Sequence, residues 1–240
     1  MARTARTMTY AIVGGVAVAL VAAVGFYFSR PGEQQAQSTT DTIDTASAAA
    51  ATDRIANLGE TGEVEPDDMV MGSADAPVTI IEYASLTCPH CARFHEDVFP
   101  QLREAYIDSG QVRFVFREVY FDQLGLFSGA LARCAGEDRY FGMIDLLLGQ
   151  QGQWARQPNI RDALLEMTKL GLVAGMDEDT MQACLTDEEV LAGMTRTYQR
   201  HAERDGINST PSFIIDGELH GNMSFEDFSR IIDAALDEQS

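Results

Sequence analysis

The sequence predicts an α/β sandwich split by an all-helical domain, on three observations. A β-branched run, Val78-Thr-Ile-Ile-Glu-Tyr-Ala84, is followed by a helical stretch and then by the alternating Gln111-Val-Arg-Phe-Val-Phe-Arg-Glu-Val119, which is a β-α-β order. About 80 residues of helical periodicity, 123–205, come next. Ser212-Phe-Ile-Ile-Asp-Gly217 then turns into Glu218-Leu-His220 and a closing helix.

The chain begins elsewhere. Tyr10–Phe28 runs nineteen residues without a charge, about the length that crosses a bilayer's hydrocarbon core. Residues 1–9 carry Arg3 and Arg6, which hold the amino terminus in the cytoplasm. Ser29-Arg-Pro-Gly32 follows the apolar run where a cleaved signal peptide would place small residues, so an uncleaved signal anchor is expected, with a signal peptide as the alternative. Either way the rest is exported, to the periplasmic face of the inner membrane if anchored or to the periplasm if cleaved. Residues 29–66 are rich in Ser, Thr, Ala, Gln and acids and bury too little apolar surface to offset ordering, so they are expected to be a disordered tether.

The folded domain is expected over 67–240. Pro77 precedes the first strand, and the helix after it is expected from Cys91 to Ile107, with Phe94, Val98, Leu102 and Tyr106 at helical spacing. Pro100 cannot donate to the carbonyl of Glu96 and should bend that helix. Breaks in the helical insert fall near Gly136, around 150–158 and around 171–177. Ser224 is a candidate cap for the last helix, with Asp227 at its third position.

Composition narrows the function. Lys and Arg number 17 against 37 Asp and Glu, a net charge of −20, and three of those cations sit in the first 30 residues. So negative a surface repels phosphate backbones, and nucleic acid is not an expected partner. Lys169 is the single lysine, which removes most lysine chemistry. Hydrophobic residues at 45% suffice for a packed core.

The four cysteines carry the chemistry. Cys88-Pro89-His90-Cys91 ends a strand and opens a helix. There the unpaired N–H groups and the positive end of the helix dipole favour the Cys88 thiolate. Pro89 fits the first turn, where its missing donor costs nothing. His90 can add a donor or a positive charge, and Cys91, one turn inward, would be the resolving thiol. A zinc site drawing on Cys88, Cys91 and His95 would want a fourth ligand. Haem attachment needs a histidine where Ala92 stands, and a purely structural disulfide is the remaining alternative to redox exchange. Cys134 and Cys184 lie in the helical insert; in an oxidising compartment they are expected to form a structural disulfide, two buried thiols being the alternative. His95, His201 and His220 are expected on surfaces or helix faces, the scattered methionines in the core, and Trp154 with Pro158 as a loop anchor.

With CPHC after the first strand, a helical insert and Thr210-Pro211 before the last hairpin, residues 67–240 resemble the DsbA-like branch of the thioredoxin superfamily. The resemblance implies a thioredoxin fold interrupted by the helical insertion. It implies Cys88 as the attacking cysteine, Cys91 as its buried partner and Pro211 as a cis-proline facing them, with Thr210 before it. Glu82 matches the family's buried acid, which exchanges a proton with Cys91; the alternative is a strand carboxylate that reaches solvent. The resemblance also implies oxidation of exported cysteine-containing proteins without a bound cofactor, and reoxidation by a DsbB-type membrane oxidase. Thr210, where the best-known oxidases carry valine, leaves a reductase or isomerase as the alternative direction. A thiol-dependent binding module or holdase is a third possibility.

Overall fold

A computed structural model describes residues 61–239. The apolar segment Tyr10–Phe28 and residues 29–60 of the expected tether lie outside them. Among the described residues no helix is long and apolar enough to cross a membrane.

Five strands form one sheet: β1 (Met69–Met71), β2 (Val78–Ala84), β3 (Val112–Glu118), β4 (Ser212–Ile215) and β5 (Glu218–Gly221). Their order is β1-β3-β2-β4-β5. β2 runs parallel to β3, and the other neighbours are antiparallel. The β2–β3 crossover holds α1 (Pro89–Asp97), α2 (Phe99–Leu102) and a π-turn, Arg103–Ile107. The insertion follows β3 as α3 (Gln123–Cys134), α4 (Glu137–Gly149), α5 (Gln151–Trp154), α6 (Ile160–Val173), α7 (Glu178–Thr186) and α8 (Glu188–Arg204); α9 (Phe225–Glu238) closes the chain. This is a thioredoxin fold carrying an all-helical insertion.

β1 was not legible as a strand, because three residues are too short for alternation to register. Nor does the helix after the cysteines merely bend at Pro100. α1 stops at Asp97, and a new helix begins with the proline in its first turn, where the absent N–H leaves no bond unmade. In the insertion, Asp122, Asn159, Asp177 and Asp187 each accept a backbone N–H at the start of a helix, so short polar side chains set these starts. Ser224 caps α9 through the Asp227 N–H at 3.2 Å. Asp216 and Gly217 both take positive φ, 48° and 87°, the conformation a two-residue hairpin needs.

The sheet has two unlike faces. Ile80 and Ala84 of β2, Phe114 and Phe116 of β3 and Phe213 of β4 pack with α1, α9 and the insertion in one large core. Ile81, Tyr83, Val115 and Ile214 form a smaller cluster on the other side, under Val64, Tyr198 and Ile207. Beside it lies a buried charge network. Arg117 bonds to Asp68 at 2.7 Å, to Asp205 at 3.1 Å, to the Tyr83 hydroxyl at 2.8 Å and to the Glu63 carbonyl at 2.5 Å. Tyr83 in turn donates to Asp205, and Glu65 takes Arg200 at 2.6 Å and Arg204 at 2.7 Å. Ordered contacts therefore begin upstream of Asp67. Glu63 and Glu65, placed in the tether by composition, are tied to β3 and to the end of α8. His201 is likewise buried, 2.9 Å from Glu65, rather than on a surface.

Cys134 at the end of α3 and Cys184 in α7 are joined in a disulfide across 50 residues. In the chain-entropy account a loop of this length stabilises by at most about 4 kcal/mol. Replacing both residues by alanine is expected to lower urea-unfolding stability by about 2–4 kcal/mol while the Cys88–Cys91 chemistry persists. An unchanged midpoint would show that the two helices are held together without the bridge.

Candidate active site

The reactive pair sits where β2 gives way to α1. Cys88 is the N-cap of α1, half-buried, with Pro89 in the first turn behind it. Its own N–H donates to the Ser85 carbonyl at 3.0 Å, closing the turn that lifts the thiol out of the sheet plane. The Thr87 hydroxyl donates to Asp122 at 3.2 Å. From α5, the buried Gln151 amide donates to the carbonyls of Leu86 (2.7 Å) and Cys88 (3.0 Å). The insertion thus clamps the backbone of the catalytic turn. No sequence signal marks Gln151, since only the tertiary fold brings α5 to that turn.

Opposite lies the Thr210–Pro211 peptide, which is cis. The Cys88 sulfur lies 3.5 Å from the Thr210 carbonyl oxygen. The Ser212 hydroxyl donates to the Ser209 carbonyl at 2.8 Å, closing the loop that carries the proline. Phe213, two residues on, packs 4.8 Å from both Phe94 of α1 and Phe228 of α9, so one aromatic contact sets the loop against the cysteine-bearing helix.

The two thiols are electrostatically opposite. The Cys91 thiol, fully buried, donates to the Cys88 sulfur, and this bond does most to lower the Cys88 pKa, from 9.0 to about 5. Partial burial works against it, while Thr210 and the backbone N–H groups of Cys91 and His90 add to it. Donating that bond, being buried and lying near the Glu82 charge all push the Cys91 thiol far above the ordinary range. Cys88 is therefore a thiolate at neutral pH, and Cys91 keeps its proton.

His90 contributes through its backbone N–H; its ring is exposed and takes a 2.8 Å hydrogen bond from Arg93. Glu82 does not reach solvent. It is fully buried, and His95 Nε2 lies 2.7 Å from its Oε2. His95 lies on a helix face, one of its two expected positions, but that face is buried and its side chain is only 5% exposed. Its place four residues after Cys91 on the same helix face was the signal available. With His95 turned to Glu82, a zinc set of Cys88, Cys91 and His95 does not form. Among the described residues no group of three His, Cys, Asp or Glu is placed to hold a metal ion.

Known proteins share this fold. The family model described as thioredoxin matches residues 64–234. The chain belongs to the thioredoxin family. A Rickettsia conorii chain assigned by name to the protein-disulfide oxidoreductases is 33% identical over 202 residues, covering 83% of this chain and 72% of its own. Other Rickettsia relatives are covered over as little as 64% of their length. Disulfide bond formation protein D of Bacillus subtilis is 27% identical, covering 68% of this chain and 72% of its own. Among solved structures, Wolbachia pipientis alpha-DsbA1 superposes with a TM-score of 0.68 at 28% identity, covering 73% of this chain and 94% of that one. Within the family this chain is DsbA-like, a protein-disulfide oxidoreductase.

The depressed Cys88 pKa fixes a pH dependence. Between about pH 5 and pH 9 the unfolded reduced chain holds a proton on Cys88 that the folded chain has released. The stability of the reduced form therefore rises with pH across that window, and the gain is lost as pH falls through about 5. Cys91, protonated in both states below pH 8, adds nothing there. The melting temperature of the reduced protein, minus that of the disulfide form, is expected to increase from pH 5 to pH 8. In Cys91→Ala, which has no disulfide form, the rise in melting temperature between pH 5 and pH 8 should be smaller than in the reduced wild type. A flat difference would contradict the thiolate.

Proposed function

We propose that this protein donates disulfide bonds to exported, cysteine-containing proteins by dithiol–disulfide exchange through Cys88 and Cys91. One observation carries the direction: the reduced pair is stabilised, with Cys88 held near pKa 5 by the Cys91 thiol, helix N–H groups and Thr210. Whatever stabilises the reduced state makes the oxidised state eager to give up its disulfide.

In the oxidised enzyme a substrate thiolate attacks the half-exposed Cys88 sulfur. The Cys88–Cys91 bond breaks, and Cys91 leaves as a thiolate that takes up a proton. A second substrate thiolate then attacks the substrate sulfur of the mixed disulfide. The substrate's own disulfide forms and Cys88 leaves as its stabilised thiolate, a low-pKa leaving group that departs readily. Substrate backbone would lie in the groove between α1 and the Thr210–Pro211 loop. Pro89, Pro211 and Gln151 shape that groove, and Glu82 serves the Cys91 proton.

The same proposal places the domain on the periplasmic side of the inner membrane, tethered by Tyr10–Phe28 and residues 29–60. A DsbB-type membrane oxidase restores the disulfide. What supports this is the uncharged nineteen-residue run behind Arg3 and Arg6 and a redox pair that needs an oxidising compartment to act.

The test is stoichiometric transfer. Oxidised protein mixed with a reduced peptide bearing two cysteines is expected to oxidise one peptide per enzyme. Cys88→Ser should abolish transfer, and Cys91→Ser, given the disulfide form of the peptide in place of the reduced form, should hold it as a mixed disulfide at Cys88. Transfer that survives Cys88→Ser would overturn the assignment.

A further inference from the structure

Cys91 is fully buried, yet each exchange cycle must bring a proton to its sulfur and take it away. Glu82 is the acid at hand, but it is buried as deeply and cannot trade protons with water itself. Its Oε2 lies 2.7 Å from His95 Nε2, while its Oε1 has no hydrogen-bond partner among the described residues. His95 lies four residues after Cys91, hence on the same face of α1. Its ring is boxed by Phe94, Phe99 and Phe116 at 5.4, 4.6 and 5.7 Å, which fixes its orientation. Its Nδ1 also has no hydrogen-bond partner among the described residues. The residue borders a surface pocket of about 350 Å³ between α1, the π-turn and α4, together with the exposed Glu96, Arg103 and Asp145. His95 thus has the buried carboxylate on one side and a polar pocket on the other.

We propose that Glu82 and His95 form a buried proton relay joining the Cys91 thiol to this pocket, with His95 a positioning residue that acts through Glu82. The relay rests on the exchange chemistry proposed above. When a mixed disulfide at Cys88 is resolved, the Cys91 proton passes to the Glu82 carboxylate and on through the imidazole to solvent. The Cys91 thiolate attacks Cys88, the Cys88–Cys91 bond forms, and the displaced thiolate is protonated from water. In the donating direction the proton runs inward along the same groups. The charged and titratable groups facing the imidazole are Glu82 from β2, Glu96 on its own helix, Arg103 from the π-turn and Asp145 from α4; Phe116 of β3 is uncharged.

The experiment is single-turnover release of glutathione from the Cys88–glutathione mixed disulfide of the full chain, followed between pH 5 and pH 9. In the wild type the rate should rise with pH across this range. His95→Gln, which keeps a hydrogen-bonding side chain but cannot titrate, should slow release about tenfold or more and remove that rise. The absorbance titration of the Cys88 thiolate should stay where it is. Glu82→Gln should match it, and the double variant should be no slower than the slower single one. A wild-type profile without that rise overturns the relay, whether or not the variants fold. So does wild-type behaviour in His95→Gln, or additive losses in the double variant. Failure of glutathione to attach at Cys88 would instead overturn the exchange chemistry, and the relay with it.

Discussion

One electrostatic pairing organises this molecule: the Cys91 thiol favours an anionic Cys88 sulfur at the mouth of α1. It makes the outer cysteine an anion and keeps the inner one protonated, a division of labour that two identical side chains three residues apart would not otherwise show. The pairing exists because three elements converge. β2 ends where the turn begins, α1 starts at Cys88 itself, and the loop before β4 presses the Thr210 carbonyl onto the sulfur. The insertion adds Gln151, whose amide holds two carbonyls of the turn. A region that resembles an appendage in sequence is thus part of the active-site frame.

The two faces of the sheet divide the remaining work. The α1 face is aromatic and dry, and it buries Glu82 and His95 together, where a carboxylate without its imidazole would be costly to desolvate. The opposite face carries the Arg117 network, which binds residues 63–68, the end of α8 and Tyr83 into one cluster. That network holds no group the exchange needs. It fixes where the chain enters the domain and so, on the proposed topology, where the membrane tether attaches.

Much of this was legible in the residues. β2 and β4 are continuous apolar runs because both their faces are covered, and β3 shows by its alternation which residues face α1. The CPHC turn and the late Thr-Pro carried the chemistry, since a thiol at a helix start is activated by geometry that follows from its position alone. What stayed hidden depends on tertiary contact. β1 exists only because Met69–Met71 finds the edge of β3. Gln151 is an ordinary helix residue until the insertion folds back. His95 looked like a helix-face residue because charged and polar neighbours surround it in sequence; its burial follows from the strand carboxylate beneath it. Glu63 and Glu65 belonged by composition to the tether, and only their arginine partners, more than 50 residues away, draw them into the domain.

The central claim is that thiolate stabilisation in the reduced fold sets the direction of electron flow. Its most direct measurement is the reduction potential of the Cys88–Cys91 pair, equilibrated against glutathione at neutral pH. A potential near the oxidising end of the range for such pairs, about −120 mV, is predicted. A potential of about −230 mV or lower would contradict it: the depressed Cys88 pKa would then not control the direction, and the pair would draw disulfides out of its substrates rather than place them.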